Sequence, residues 1–172
     1  MVGMTPLAAD LFVLFRRDLG CFIREVKSFP DDVTLWRTVP GITNSAGNLA
    51  LHVAGNLRHF VGGVLGGTGY QRHREQEFTQ GEGTRAEIIA VLEATAIDLE
   101  VGLQTLTDAS LAAPYPLPVR GVHPGTGRWL MHLAAHLAFH LGQTGYLRRA
   151  LTGEAGATRA MDPGELGEVS EV

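Results

Sequence analysis

A single cysteine in 172 residues removes most thiol chemistry from consideration. Cys21 has no second thiol for an intramolecular disulfide, and a multi-cysteine zinc cluster is excluded by the same count. Its neighbours Leu19 and Phe22 give it an apolar helical setting, the setting of an inert packing residue. The chain also lacks the run of roughly 20 uncharged apolar residues that spans a bilayer. Its first residues show no basic start followed by a long apolar centre and a small-residue cleavage site. The expectation is therefore a soluble, cytoplasmic protein with no membrane partner. Alternation of β period over a useful length is missing, as is any internal repeat. Gly62-Gly63 stands in a helical pattern without a Gly-rich phosphate motif, and no serine occupies a nucleophile-elbow setting. Nucleotide binding and serine hydrolysis are set aside on those grounds.

An excess of charge is absent from most of the chain as well. The net charge is −4, and the segment after Leu151 accounts for all of it, with Glu154, Asp162, Glu165, Glu168 and Glu171 against Arg159. The remaining body is balanced and offers no basic footprint, so nucleic acid is not an expected partner. That C-terminal segment has almost no large apolar residues with which to offset its ordering entropy. The division expected is a globular domain over residues 1–151 and an acidic, flexible tail over 152–172.

What the sequence does contain is helical punctuation. Thr5-Pro6 is a cap followed by a residue suited to the first helical position, and Leu7, Leu11, Leu14, Phe15, Leu19, Phe22 and Val26 recur at helical intervals until Pro30. Thr43, Asn44 or Ser45 can cap a second helix bearing Leu49, His52, Val53, Asn56, Leu57 and Phe60, which Gly66-Gly67 ends. Thr84 and Glu87 have the spacing of a capping box, and Ile88, Val91, Leu92, Thr95, Leu99 and Leu103 follow as an inward stripe. Pro116, Pro118 and Pro124 then rule out a continuous helix, leaving a long connection suited to covering a site. A last helix is expected from about Gly127 to Ala150. Four such helices are the natural units of an all-α four-helix bundle, a fold whose facing side chains build internal metal sites.

The last helix carries HLAAHLAFHLGQ, with His132, His136 and His140 four residues apart. Residues at that spacing lie one turn apart, close enough for two imidazoles to meet on one ion. The outer two are about 12 Å apart along the axis, so one metal takes only two of the three. A third ligand must come from another helix. His52, inside the apolar face of the second helix, is the best candidate, and His59 lies on nearly the same face. His73 and His123 fall in polar or loop surroundings and read as solvated.

Two segments carry a resemblance to a known family. NLALHVAGNLRHFVGG, followed by RHREQEF, resembles a subgroup pattern of Asn-Leu, a ligand histidine, Gly-Asn-Leu and then Arg-x-Arg-acid-x-Glu-Phe. HLAFHLGQTGYLRR resembles the His-x-x-x-His-x-Gly-Gln ending of the same proteins, the DinB superfamily of metal-binding four-helix bundles. The resemblance covers about residues 5–151. It implies a metal triad at His52, His136 and His140, with His132 left out by the Leu-Gly-Gln that follows His140. It further implies zinc or nickel as the divalent metal, a homodimer, and a small-molecule substrate. The chemistry it implies is activation of water or of a low-molecular-weight thiol such as bacillithiol or mycothiol, in a transferase or hydrolase.

Around that triad, Asn48 and Asn56 flank His52 by one turn on either side, and Gln143 follows His140 by one turn. Each can orient a ligand or touch substrate, and each also reads as an ordinary amide bonded to backbone. Arg72, Arg74, Glu75 and Glu77 read as an ion-pair network that fixes the loop or a dimer surface rather than as catalytic groups. No Asp or Glu lies within one turn of the three proposed ligands, so no catalytic residue is assigned. Trp36 and Trp129 read as core or interface aromatics. The competing function is a non-catalytic structural or metal-responsive binding protein, whose site would be closed by a fourth ligand such as His59 or His132.

Overall fold

The structure is a computed structural model that describes residues 4–156 and 158–167. Among these residues it is all helical. α1 spans Pro6–Lys27, α3 Ala46–Leu57, α5 Arg85–Gln104 and α7 Thr126–Thr152, with short α2 (Asp32–Leu35), α4 (Arg74–Thr79) and α6 (Asp108–Ala112) in the connections.

The helix starts follow from their caps. The Thr5 hydroxyl accepts from the Ala8 N–H with Pro6 in the first turn. Ser45 and Asn48 form a capping box on α3, as Thr84 and Glu87 do on α5. Each cap contributes about 1 kcal/mol by pairing a backbone N–H that the helix cannot satisfy itself. α7 ends at Gly153, whose φ of 73° is the left-handed conformation that glycine adopts without strain.

α1 packs along α5 and α7, and α3 packs along the same two helices, while α1 and α3 barely touch. The four long helices thus form a square, with α1 and α3 at opposite corners. Phe15, Phe22, Leu57, Leu92, Leu99, Leu130 and Leu137 fill it and are almost fully buried. Val91, expected on the inward stripe of α5, is only half-buried.

The second bundle helix does not stay α-helical to its end. After Leu57 it widens into a π-helical segment, Arg58–Gly63, which packs against α5. The reason lies in glycine. A Cβ on Gly62 would stand 2.7 Å from the Asp98 Cβ, one on Gly66 would stand 2.9 Å from the Gly102 Cα, and one on Gly102 would collide with the Val61 carbonyl. Gly66 and Gly102 let two backbones meet with no side chain between them, and Gly62 leaves room for the Asp98 side chain. The Arg58–Asp98 ion pair at 2.7 Å closes the same seam.

The long connection before α7 is less irregular than its prolines suggest. It contains α6, whose N-cap Thr107 pairs with Ser110, and two isolated bridges, Pro114 to Gly125 and Val119 to Val122. Tyr115 is fully buried and donates to the Phe60 carbonyl at 2.6 Å. Phe60, Tyr115 and Trp129 form an aromatic cluster that ties the connection to the π segment.

The described part of the C-terminal segment lies against α1 and α7. Arg148 and Glu25 form a buried ion pair at 2.6 Å, and Arg148 also donates to the Gly156 carbonyl. The Thr158 hydroxyl donates to Glu25, Arg24 donates to the Thr158 carbonyl, and Arg24 pairs with Glu165. Composition gives no hint of these contacts, because the groups that hold the segment belong to the bundle. Glu168 and Glu171 of the acidic tail lie outside the described residues.

The glycine seam supplies a test of the fold. Gly102→Ala should destabilise the protein by about 1–3 kcal/mol, because the added methyl meets backbone that cannot rotate away. Urea unfolding of both proteins measures it, and an unchanged midpoint would show that the two backbones are not in contact.

Candidate metal centre

α3 and α7 face each other across one side of the square, and their histidines meet there. His52 Nε2 lies 3.3 Å from His136 Nε2, which lies 3.0 Å from His140 Nε2. Nitrogens bonded to one ion at about 2.0–2.1 Å, at angles between square and tetrahedral, stand about 2.9–3.4 Å apart. The observed separations suit a shared ion. The three histidines form a group whose ligand atoms all lie within 4.8 Å of one another, and this group can hold a metal ion.

The other ring nitrogens explain why Nε2 faces inward. His52 Nδ1 lies 2.9 Å from Glu77 Oε2, and Glu77 is also gripped by Arg72 through Nε at 2.6 Å and Nη2 at 2.7 Å. Burial alone would raise the Glu77 carboxyl, but the hydrogen bonds from Arg72 and His52 outweigh it and hold the group below the ordinary carboxylate range. An ionised carboxylate only accepts, so in a neutral His52 the 2.9 Å contact puts the proton on Nδ1, against the longer approach of Arg72 Nη2 to the same atom at 3.3 Å, and leaves the lone pair on Nε2. His140 does the same by another route, donating from Nδ1 to Gln143 Oε1 at 2.8 Å.

Protonation would block a cation, and the site resists it. Burial pushes the His136 imidazole down to about 4, helped by the neighbouring His140 and His52. Burial likewise lowers His140, against a smaller opposing effect of the Gln143 hydrogen bond. Neutral imidazoles with converging lone pairs are a donor set for a divalent cation.

Glu77 is the functional residue that local reading misses. It lies in α4, 25 positions from His52, so a search within one turn of each ligand does not find it. The sequence reading of its cluster as an ion-pair network holds for Arg72 and Glu77, yet that network ends on His52. Two features put the carboxylate there. Asn48 donates from its side chain to the carbonyls of Glu77 at 3.1 Å and Gln80 at 2.7 Å, pinning α4 against α3. Gly55 leaves room, since a Cβ at that position would run into Glu77 Oε1.

The remaining candidates separate cleanly. Asn48 works on α4 rather than on a histidine. Asn56 is buried, and its Oδ1 has no hydrogen-bond partner among the described residues. Gln143 orients His140. His132 is exposed and stacks on Trp129 with ring centroids 4.9 Å apart, outside the triad. His59 packs on Phe60 and is also outside the described metal group. Trp36 is half-buried against Gly47, its indole N–H donating to the Gly83 carbonyl at 2.7 Å.

A helical bundle with one three-histidine cluster between facing helices is the class that fold and site define. The sequence profile of the DinB superfamily matches residues 16–144, a span that includes the triad, and the chain belongs to that superfamily. No curated protein matches the chain. Among the described residues, no helix is long and apolar enough to cross a membrane.

The carboxylate contact makes a measurable claim. Glu77→Gln should weaken divalent metal binding by about 10- to 100-fold, the usual cost of losing a partner that orients a ligand histidine. Gly55→Ala, which crowds the same carboxylate, should shift affinity in the same direction. Competition against a chromophoric chelator reads both, and wild-type affinity in both variants would sever Glu77 from the site.

Proposed function

We propose that this protein is a metal-dependent enzyme in which His52, His136 and His140 hold zinc or nickel, and that it acts on a small molecule with water or a low-molecular-weight thiol as nucleophile. The observation that carries the reading is the open donor set. Three imidazoles converge, and no fourth His, Cys, Asp or Glu joins the group among the described residues. A structural site would be closed by a fourth protein ligand, and a catalytic one keeps a position free. His59 and His132, the two side chains suited to closing it, are both engaged elsewhere.

When bound, a divalent ion supplies Lewis acidity to a ligand in the free position. The chain's own residues do the rest. Glu77 and Gln143 accept from the far nitrogens of His52 and His140, so that in each neutral ring Nε2 is the nitrogen turned toward the other histidines. Glu77 itself is committed to Arg72 and His52 and is not a free base. Transfer to a thiol or hydrolysis is the reaction class that suits a site with electrophilic assistance and no free carboxylate.

The reading includes a homodimer in the cytoplasm. Support for the dimer comes from α7, where Met131, Phe139 and Tyr146 are exposed along one stripe beside the histidines. Light scattering should return about twice the chain mass of 18.5 kDa. A monomer at that mass would leave the stripe to another role.

The decisive experiment is elemental analysis of untagged protein. About one metal per chain is expected in wild type and in His132→Ala, and essentially none in His136→Ala or His140→Ala. Metal in wild type would justify a screen of thiols against electrophiles. Equal loss in all three variants, or failure of added zinc and nickel to bind wild type, would remove the proposed function.

A further inference from the structure

Beyond the histidines, toward the C-terminal end of α7, a cleft of about 400 Å³ lies between α3, α7 and the connection before α3. Leu49, one turn before His52, forms one wall, Leu147 and Ala150 form the other with Tyr146, the last residue of the exposed α7 stripe, and Val39 and Ile42 of the connection before α3 close the side. That volume lies in the range of small-molecule sites, about 300–1,000 Å³.

Gln143 belongs to both places. Its Oε1 accepts the His140 Nδ1 proton, and its side chain lines the cleft. The rest of its amide makes no side-chain hydrogen bond among the described residues, and neither do Thr43 and Asn44 on the opposite lip. The polar groups of the cleft are therefore neutral and unspent. No Asp, Glu, Lys, Arg or His lines it. A charged ligand would surrender hydration there and meet no charged group in the lining, a loss that a neutral ligand avoids, and a cation would in addition face the Arg149 guanidinium over the Tyr146 ring, 4.8 Å from its centroid.

We propose that this cleft binds the organic body of the substrate, a neutral, largely apolar small molecule with a carbonyl-type oxygen that accepts a hydrogen bond from the Gln143 amide. The direction of its reacting end, toward His140, rests on the function proposed above. Binding in the cleft does not. The apolar walls supply affinity, and the amide and hydroxyl groups set orientation. A ligand held by Gln143 would also lie against the side chain that orients His140, which couples occupancy of the cleft to the geometry of the triad.

The test uses naphthalene-2-carboxamide, a neutral two-ring amide, titrated by fluorescence into metal-loaded protein. Saturable binding at one site per chain is expected. Ala150→Trp, at an exposed position that tolerates bulk, should fill the cleft and weaken binding by about tenfold or more, equivalent to about 1.4 kcal/mol. Phe139→Ser, at a position of the exposed stripe outside the cleft lining, should leave binding unchanged and so separates the cleft from the apolar surface around it. 2-Naphthylmethylammonium, the same ring system with a positive charge, should bind about tenfold more weakly despite the protein's net negative charge.

Absence of binding to wild type, undiminished binding to Ala150→Trp, or equal binding of the amide and the ammonium would overturn the assignment. Metal content measured on the same samples separates the two ideas. Cleft binding by protein that holds no metal supports the cleft and removes the metal enzyme. Metal without cleft binding does the reverse.

Discussion

The position of one buried carboxylate governs the chemistry of this bundle. Glu77 accepts two hydrogen bonds from Arg72 and stands 2.9 Å from His52 Nδ1, a contact that favours the proton on that nitrogen in the neutral ring. Were Nδ1 unprotonated, Nε2 would present a hydrogen to His136 Nε2 at 3.3 Å instead of a lone pair. The bond also has a structural cost, because a carboxylate against a helix needs a gap in that helix. Gly55 provides the gap, and Asn48 provides the tether that keeps α4 in place. A residue one turn after His52 and another one turn before it thus serve a side chain that is remote in sequence.

A second buried charge pair does comparable work on the face of α7 turned to α1. Glu25 and Arg148 each keep about 3% side-chain exposure and meet at 2.6 Å. Removing one partner of such a pair costs about 3–5 kcal/mol, since the other is left charged and unpaired. Here both partners have spare capacity, which goes to Thr158 and Gly156. The acidic segment beyond α7 needs no apolar core of its own to lie along α1. Gly145, where a Cβ would stand 3.1 Å from Glu25 Oε1, shows how closely α1 and α7 approach at this point. α7 therefore has two polar stations, an ion pair facing α1 and the histidine group facing α3.

Helix starts and ends were legible because they depend on neighbours within four residues. Thr5, Ser45, Thr84 and Gly153 act as caps through local geometry, and a reader of the chain can place them or, for Ser45, narrow the choice to Thr43, Asn44 or Ser45. The restriction of the stripe to two ligands was legible for the same reason, since helical rise alone separates His132 from His140. The π segment was not legible. Its cause is the approach of α5, and nothing between Arg58 and Gly63 announces that Gly102 will lie against the Val61 carbonyl. Glu77 was visible as a member of a charged cluster, but its partner was hidden. Likewise, Gln143 could be placed one turn past His140, yet its place in the wall of a cleft requires Leu49 and Ile42 from elsewhere in the chain.

By itself the sequence determined an all-α chain, its four long helices and most of their caps, the lack of a second thiol for an intramolecular disulfide, and a histidine pair one turn apart that could share an ion. Those properties follow from interactions spanning a few residues, where backbone geometry is known once the helix is known. The sequence named His52 as the best partner for that pair and the tertiary structure sets it there; only the tertiary structure decided that Glu77 and Arg72 stand behind it and that no fourth described ligand closes the site. Those facts depend on how α3, α4 and α7 are set against one another, and packing at that range is governed by glycine clearances and buried charges whose partners are far apart along the chain.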